Sequence, residues 1–424
     1  MSFALRYSLT IFYVASCSFA CFFKKSIAYW YVIMALKKQK KRRICFVITS
    51  FIHYSRNMLI LDELLKRKDV DLHVLVGGTA LLSKYSSKFA HIKELLRKDG
   101  HRNIHELYFN LEGDSSVIKA KTVGLGIIEF TSFFNDIKPD LVVVRGDRFE
   151  ILAAAVAAAY MQIPVAHIEG GDTTGSIDES VRHAVTKLSH IHFATNEPAY
   201  KRVLKLGEHP DYVFNFGSPD VELVSKLVNG KLSIDLAKTG SGFPIDLKTP
   251  YLLVMYHPDA SDLKNVSKNT RSLLKVVHRM NLPAIWFWPN FDAGAEDISH
   301  ELRVFRDTIS DHKIKFSRYL PPRDFLVLLK NTLCLIGNSS AGIKESSFLG
   351  IPVVNIGGRQ GARLRAGNVH SVSYDEKEIE NGIIRQIAAG RFPVSNLYFT
   401  PDTSKKIAKT LATIPLYFQK KFVD

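Results

Sequence analysis

The sequence predicts an α/β protein built from two Rossmann-like domains facing a cleft, and three observations carry that expectation. Apolar β-branched runs alternate with helical patterns, as where Leu141-Val142-Val143-Val144 precedes the alanine-rich stretch Ile151 to Met161 and then Val165-Ala166-His167-Ile168. The alternation halts at Val228 to Thr249, which is rich in Lys, Gly, Ser and Asp, and starts afresh at Tyr251. In both halves the strands run out into glycine, serine or ionisable residues, and the carboxyl ends of strands are where a doubly wound sheet receives its ligand.

The first 43 residues stand apart from this body. The formal charge is +16, but nine Lys and Arg and no acid fall in that segment, which leaves 48 basic against 41 acidic residues, a net +7. A value of that size suits a polyanionic small substrate, and no basic stripe interleaved with aromatics argues for nucleic acid. Tyr7 to Phe23 is uncharged, Ser26 to Leu36 is apolar, and Lys37 to Arg43 is basic. A membrane anchor is one reading, although a span needs about 20 apolar residues and neither run reaches that length. A translation start at Met34 is the reading preferred here, and a secretory signal is not expected. Of four cysteines only Cys45 and Cys334 lie in the body, which is neither a disulfide framework nor a metal pattern and fits a reducing cytoplasm.

The first domain is expected over residues 44–227. Ile44 to Thr49 reads as its first strand, Ser50 to Arg56 as a loop in the ligand position, and Met58 to Arg67 as a helix. The loop lacks G-x-G-x-x-G, so a dinucleotide fingerprint is absent. Val70 to Gly77 is a second strand and Lys121 to Ile137 a helix leading into the densest stretch. There Asp147 and Arg148 follow one strand and Glu169 the next, so two carboxylates converge on one crevice. Gly170-Gly171 turns the chain into a helix from near Ile177, whose apolar stripe is Ile177, Val181, Ala184, Val185 and Leu188. Glu179, Arg182, His183, Thr186 and His190 share its other face. Such a face is ordinarily a solvated surface, but this one begins beside two carboxylates.

Residues 228–249 read as a linker and 250–400 as the second domain. Tyr251 to Tyr256 is its opening strand, followed by His257-Pro258-Asp259, a helix over Asn269 to Met280, the strand Ala284 to Trp288 and the turn Pro289 to Gly294. Later the strand at Leu333 ends in Gly337-Asn338-Ser339-Ser340-Ala341-Gly342, with Ser339 or Ser340 as N-cap of a helix from about Ile343. A capped helix is the common use of that pattern. Arg359, Arg363 and Arg365 in the next loop favour a diphosphate clamp, because a guanidinium binds two phosphate oxygens at once. Glu345 either complements the helix dipole or accepts from a ribose. Residues 401–424 are expected to form a C-terminal helix that packs back on the first domain.

In order and spacing, GDRFE, HIEGGD, IDESVRHAVTKLSH, PNFDAG, GNSSAGIKE and GIPVVNIGGRQGAR resemble the UDP-N-acetylglucosamine 2-epimerases over roughly residues 44 to 420. The hydrolysing branch, which supplies N-acetylmannosamine for sialic-acid-type sugars, is the nearest likeness. The resemblance implies a GT-B fold, a UDP-sugar in the cleft, a homo-oligomer, and neither metal nor cofactor. It also implies removal of the C2 proton, expulsion of UDP to leave 2-acetamidoglucal, and addition of water with reprotonation at C2 from the other face. Carried over residue by residue, the catalytic candidates are Asp147, Glu169, Asp178 and Glu179, with Arg182 and His257 in support. Arg148, His183, Asn290, Ser339, Ser340, Gly342, Glu345, Arg359, Gln360 and Arg363 are the substrate-binding candidates. Which carboxylate is base and which acid stays open. The family's first loop usually reads Arg-Ala-(Asp/Glu)-Tyr, whereas Phe51-Ile52-His53-Tyr54 stands here with Arg56 close by. That departure admits a diacetamido-trideoxyhexose as the sugar. A non-hydrolysing epimerase and a GT-B glycosyltransferase are the alternative activities.

Overall fold

The computed structural model describes residues 41–82, 91–113, 115–175, 177–236, 239–259, 261–290, 292–318 and 320–423. The N-terminal segment read as an anchor or a misassigned start lies outside the described residues up to residue 40. Among the described residues no helix is long and apolar enough to cross a membrane.

The first sheet has the order β3-β2-β1-β4-β5-β6-β7. Its strands are β1 (Arg42–Ile48), β2 (Val70–Gly77), β3 (Ile104–Leu107), β4 (Leu141–Arg145), β5 (Val165–Ile168), β6 (Ile191–Ala194) and β7 (Val213–Asn215). Helices α1 (Phe51–Leu65), α2 (Ile92–Lys98), α3 (Ser116–Ile137), α4 (Phe149–Tyr160), α5 (Ile177–Leu188) and α6 (Glu197–Lys205) connect them. β1 and β4 pair in parallel, with Ile44 opposite Leu141. Successive side chains of β1 enter opposite cores, as a strand buried on both faces requires: Phe46 and Ile48 meet Ile60, Leu61 and Leu64 of α1, while Cys45 and Val47 join the core of Phe130 and Phe134 from α3. Each side chain of this size contributes about 1.5–3 kcal/mol when fully buried. The alanines of α4 let α3 approach closely, and a Cβ at Gly126 would stand 2.9 Å from Ala153.

The second sheet has the order β14-β13-β12-β9-β10-β11-β8. It comprises β8 (Ser241–Gly242), β9 (Leu252–Met255), β10 (Ala284–Phe287), β11 (Ile314–Ser317), β12 (Cys334–Gly337), β13 (Val353–Ile356) and β14 (Val369–Val372). Between them run α8 (Val266–Arg279), α9 (Ala295–Thr308), α10 (Pro322–Asn331) and α11 (Glu345–Leu349), and α12 (Glu376–Ala389) follows β14. The opening strand of each domain is flanked on both sides by later strands, so each sheet reverses its winding beside it, between β1 and β4 and between β9 and β12. Ligands of doubly wound sheets bind at those two switch points.

Three expectations are corrected. Ser50 to Arg56 is not a loop: α1 starts at Phe51, and the Ser50 hydroxyl accepts from the His53 amide at 3.2 Å as N-cap. The stretch 228–249 is not wholly a linker, because β8 adds an antiparallel edge to β11. The helix after Gly342 is brief: a 3-10 turn at Ser340–Gly342 precedes α11, which spans five residues. A strong helix dipole is therefore not available there. α7 (Pro219–Leu227) sends Leu223 and Val224 into the second core, and α13 (Thr403–Thr413) sends Ile407 and Leu411 into the first.

Candidate functional site

Both switch points open on one cleft of about 280 Å³. Four strand ends supply its floor: Ser50 after β1, Gly146 and Asp147 after β4, His257 after β9, and Ser339 and Ser340 after β12. Glu169, Asp178, Arg182, Arg148, Asn290, Glu345, Arg359, Gln360 and Arg363 also line it. The fold thus gathers most of the expected residues into one place.

Asp147 follows Gly146, whose φ of 77° suits glycine and turns the chain sharply off β4. Its carboxylate accepts a short hydrogen bond from Arg182, and its side chain keeps 23% exposure toward the cleft. Arg182 and Thr186 are buried, so the polar face of α5 is turned inward on the strand ends rather than outward to water. His167 braces the same corner, with Nε2 2.8 Å from the Gly146 carbonyl and Nδ1 3.1 Å from the Thr186 hydroxyl. Burial holds its pKa down to about 3, so it is neutral.

Glu169 ends β5 with a φ of 71°, a strained conformation for a residue with a Cβ, costing on the order of 1–3 kcal/mol. Arg145 donates to its Oε2 at 3.1 Å and Lys344 makes a short ion pair with its Oε1. Burial would raise its pKa, but Lys344, Arg145, Arg363 and Arg56 outweigh burial and hold it well below the usual carboxylate range. Arg145 and Lys344 both also bind Asp220, the latter at 2.8 Å, and Arg56 reaches Glu345 at 3.2 Å.

On the second domain, the Asn338 side chain accepts from the His257 amide and donates to the His257 carbonyl, each at 2.8 Å, clasping β9 to β12. His257 Nδ1 accepts from the Asn290 amide at 3.1 Å, which leaves its proton on Nε2. Burial, with Arg359 adding to it, brings its pKa down to about 3, so it enters the cleft as a neutral donor. Arg359 is held by Asp292 at 3.0 Å and by the Asn338 carbonyl at 3.2 Å. Arg148 forks onto buried Glu150, at 3.0 and 2.8 Å. Met255, Phe287, Trp288, Leu320, Phe325 and Leu326 form an apolar wall on this side. The arrangement can seat an anion on Arg359, the serines and His257 while carboxylates face it from the other domain.

Four expected residues do something else. Glu179 uses Oε2 to accept from the Thr174 and Gly175 amides at 2.7 and 2.8 Å, which closes the loop before α5 instead of facing the cleft. His183 sits a turn further on, 3.8 Å from Glu179, and does not line the cleft. Gly342 is tight because a Cβ there would meet Val353 at 3.0 Å and Leu335 at 3.2 Å, so its role is packing. Arg365 is likewise turned away, bracing its own loop through Ser371 and the Gln360 and Gly361 carbonyls. Among the described residues no group of three or more His, Cys, Asp and Glu could hold a metal ion.

Residues 62–412 match the family described as UDP-N-acetylglucosamine 2-epimerase. The chain belongs to this epimerase family. A UDP-N,N'-diacetylbacillosamine 2-epimerase (hydrolyzing) of Legionella pneumophila is 31% identical over 379 residues, covering 89% of this chain and 97% of that protein. A GDP/UDP-N,N'-diacetylbacillosamine 2-epimerase (hydrolyzing) of Campylobacter jejuni is 32% identical over 78% of this chain and 84% of its own. A UDP-N-acetylglucosamine 2-epimerase of Neisseria meningitidis serogroup B is 29% identical over 91% of this chain and 99% of its own. In fold, this epimerase matches the Methanocaldococcus jannaschii UDP-GlcNAc 2-epimerase solved with UDP-GlcNAc and UDP, at a TM-score of 0.71 and 18% identity over 87% of this chain and 99% of that one. The Neisseria meningitidis enzyme bound to UDP-GlcNAc matches equally, with a TM-score of 0.71 at 19% identity over the same shares. The GT-B arrangement of two Rossmann-like domains is thereby the epimerase's architecture.

Sequence reasoning missed Arg145, Asp220 and Lys344. Arg145 had a signal: a charge ending an otherwise aliphatic strand that is buried on both faces has to be paired. Asp220 reads as an ordinary acid in the first turn of a helix, and Lys344 as a solvated lysine. Neither has a local signature, since their partners lie 75 residues or more away in the chain.

Proposed function

We propose that this epimerase is of the hydrolysing kind, converting a UDP-linked 2-acetamido hexose and water to UDP and the free 2-epimer through a 2-acetamidoglucal. The observation that carries the reading is the opposition, across one cleft, of Asp147, Glu169 and Asp178 to Ser339, Ser340, Arg359 and neutral His257. A base must take a weakly acidic C2 proton while the leaving diphosphate gains charge, and a later proton must reach the other face of C2. Carboxylates from two strand ends and a helix suit the first and last needs. The guanidinium, hydroxyls and imidazole N–H suit the second. The apolar wall around Trp288 suits a uracil ring, and Glu345 a ribose. Activity of this type needs neither metal nor cofactor and belongs in the cytoplasm, where it supplies surface-glycan synthesis.

Phe51 and Ile52 support a particular sugar. They line the cleft at the start of α1, where the resemblance leads one to expect a polar contact. An apolar lining accommodates a 6-deoxy methyl group better than a hydroxymethyl, so a UDP-linked 2,4-diacetamido-trideoxyhexose is the second substrate to test. Proton NMR in D2O with each UDP-sugar and no acceptor is the experiment. Free 2-epimer deuterated at C2 with equimolar UDP is the expected result. A returned UDP-sugar epimer would make the enzyme non-hydrolysing, and UDP release only on adding an acceptor would make it a glycosyltransferase.

A further inference from the structure

The buried charges around Glu169 form one cluster that crosses between the domains. Arg56, Arg145, Lys344 and Arg363 face Glu169, Asp172, Asp220 and Glu345, four cations against four anions. Desolvating so many charges is costly, and a well-packed apolar core would hold two domains together at least as well. The cluster therefore serves position more than stability. Lys344 makes its closest crossing, beside those of Arg56 to Glu345 and Arg363 to Asp172. The Lys344 side chain is fully buried and absent from the cleft lining, it touches Glu169 of the first domain and Asp220 of α7, and its backbone follows directly on the Ser339–Ile343 turn.

We propose that Lys344 is a positioning residue that ties the Ser339–Ser340 loop to Glu169, so that this carboxylate is held for reaction only while the two domains are closed on each other. The proposal rests on the epimerase reading above. Lys344 reaches Glu169 only across the gap between the sheets, and relative motion of two such domains about a cleft is their ordinary behaviour. Opening withdraws Lys344, with Arg363, from Glu169 and leaves it with the first-domain cations Arg145, Arg56 and Arg182. Filling the loop with a diphosphate draws Lys344 back. Occupancy of one half of the substrate site is thus reported to the reacting half without contact between Lys344 and substrate.

The test compares the parent with Lys344→Gln/Asp220→Asn, a pair that removes one charge of each sign and so keeps the buried cluster neutral. Lys344→Arg serves as the conservative variant. The double variant is expected to fold and to bind UDP within about threefold of the parent, while kcat falls roughly 100-fold, as for loss of a group that orients a reacting one. The acid limb of kcat/KM moves up, because the contact cation Lys344 outweighs the more distant repulsion of Asp220 that is lost with it, and Arg56, Arg145, Arg182 and Arg363 alone then face Glu169. Lys344→Arg recovers part of both. A double variant with parental kcat and pH profile would overturn the proposal, as would a fall in UDP affinity that matches the fall in kcat. A second readout needs no turnover: the acid titration of Glu169 in protein carrying carboxyl-13C glutamate, assigned by its loss in Glu169→Gln. Its midpoint should rise in the double variant toward the ordinary carboxylate range, and added UDP should lower it in the parent only. Equal midpoints would reject the coupling, whereas a parent that turned over no UDP-sugar would reject the proposed function alone.

Discussion

Asp147 and Glu169 end adjacent parallel strands, and their sequence contexts give no reason to treat them differently. The structure separates them. Asp147 is partly exposed, sits behind a glycine turn and has Arg182 as its close partner. Glu169 is buried, backbone-strained and held by cations from both domains. Equal chemistry at two strand ends has been given unequal mobility and unequal electrostatics. A carboxylate that stays ionised through burial depends on its cations, whereas the Asp147 side chain keeps part of its hydration beside its Arg182 partner.

Substituting each in turn is the sharpest break of that comparison. Asp147→Asn and Glu169→Gln should each lower turnover by about 1,000-fold with UDP affinity retained, within the range expected for loss of a proton-transfer group. Their stabilities should diverge. Glu169→Gln leaves Lys344 and Arg145 short of an anion and should cost about 3–5 kcal/mol, against about 1 kcal/mol for Asp147→Asn. Denaturant unfolding beside turnover measurement checks both, and equal destabilisation would erase the distinction drawn between the two sites.

The arginines extend the comparison to the second domain. Arg359 is anchored on Asp292 and the Asn338 carbonyl, on the anion side, while Arg363 lies 3.5 Å from Asp172 and 3.9 Å from Glu169, on the carboxylate side. Arg359→Ala should weaken UDP binding by roughly 10- to 100-fold, the loss expected for a charge-assisted contact of about 1.5–3 kcal/mol. Arg363→Ala should act more on kcat. Calorimetry with UDP, set against steady-state kinetics, would show whether the two effects divide in this way.

Acid should unfold the protein in two stages. His53, His167 and His257 are buried with pKa values depressed chiefly by burial, so below about pH 6.5 the unfolded chain binds protons that the folded one refuses. Stability conferred by these groups is complete above pH 6.5 and is lost toward pH 3. Glu208 opposes burial through His192, Lys187 and Lys420, which bring its pKa down to about 2; its contribution, like that of Glu169, is present above about pH 4.5 and lost below that. Thermal unfolding across pH 7.5 to 3 should therefore show a loss that steepens below pH 4.5, and a less steep lower stage in Glu169→Gln. The smallest effect expected is that of His183→Ala, within about twofold in turnover, because the ring lies outside the cleft.

Much of this was legible without coordinates. Apolar runs, glycine turns and helical stripes placed strands such as Val70–Gly77 and Val165–Ile168 at their observed bounds: the second is buried throughout and reads as one short run, while the first alternates Val70, Leu72 and Val74 with Asp71 and His73 before its buried end. The ionisable residues at strand ends marked the cleft for a similar reason: charges do not otherwise interrupt such runs. Two other stretches carry no such record. Ser50 to Arg56 carries no apolar stripe strong enough to announce the first turns of α1, and its helical state comes from the Ser50 cap and the core beneath it. Glu179 and His183 shared a polar face with Arg182, and helical periodicity alone does not say which member of a face meets a neighbour.

The sequence by itself determined the class of fold and the ionisable, glycine and serine residues at the strand ends, since these follow from interactions between near neighbours in the chain, whereas the strand order that makes two of those ends switch points comes from pairings such as that of β1 with β4, whose partners lie 97 positions apart. Only the tertiary structure decided which carboxylate is solvated and which is caged. That choice depends on Lys344 and Asp220, brought to Glu169 from 175 and 51 positions away, and burial and charge pairing between such distant groups leave no periodic mark in a sequence.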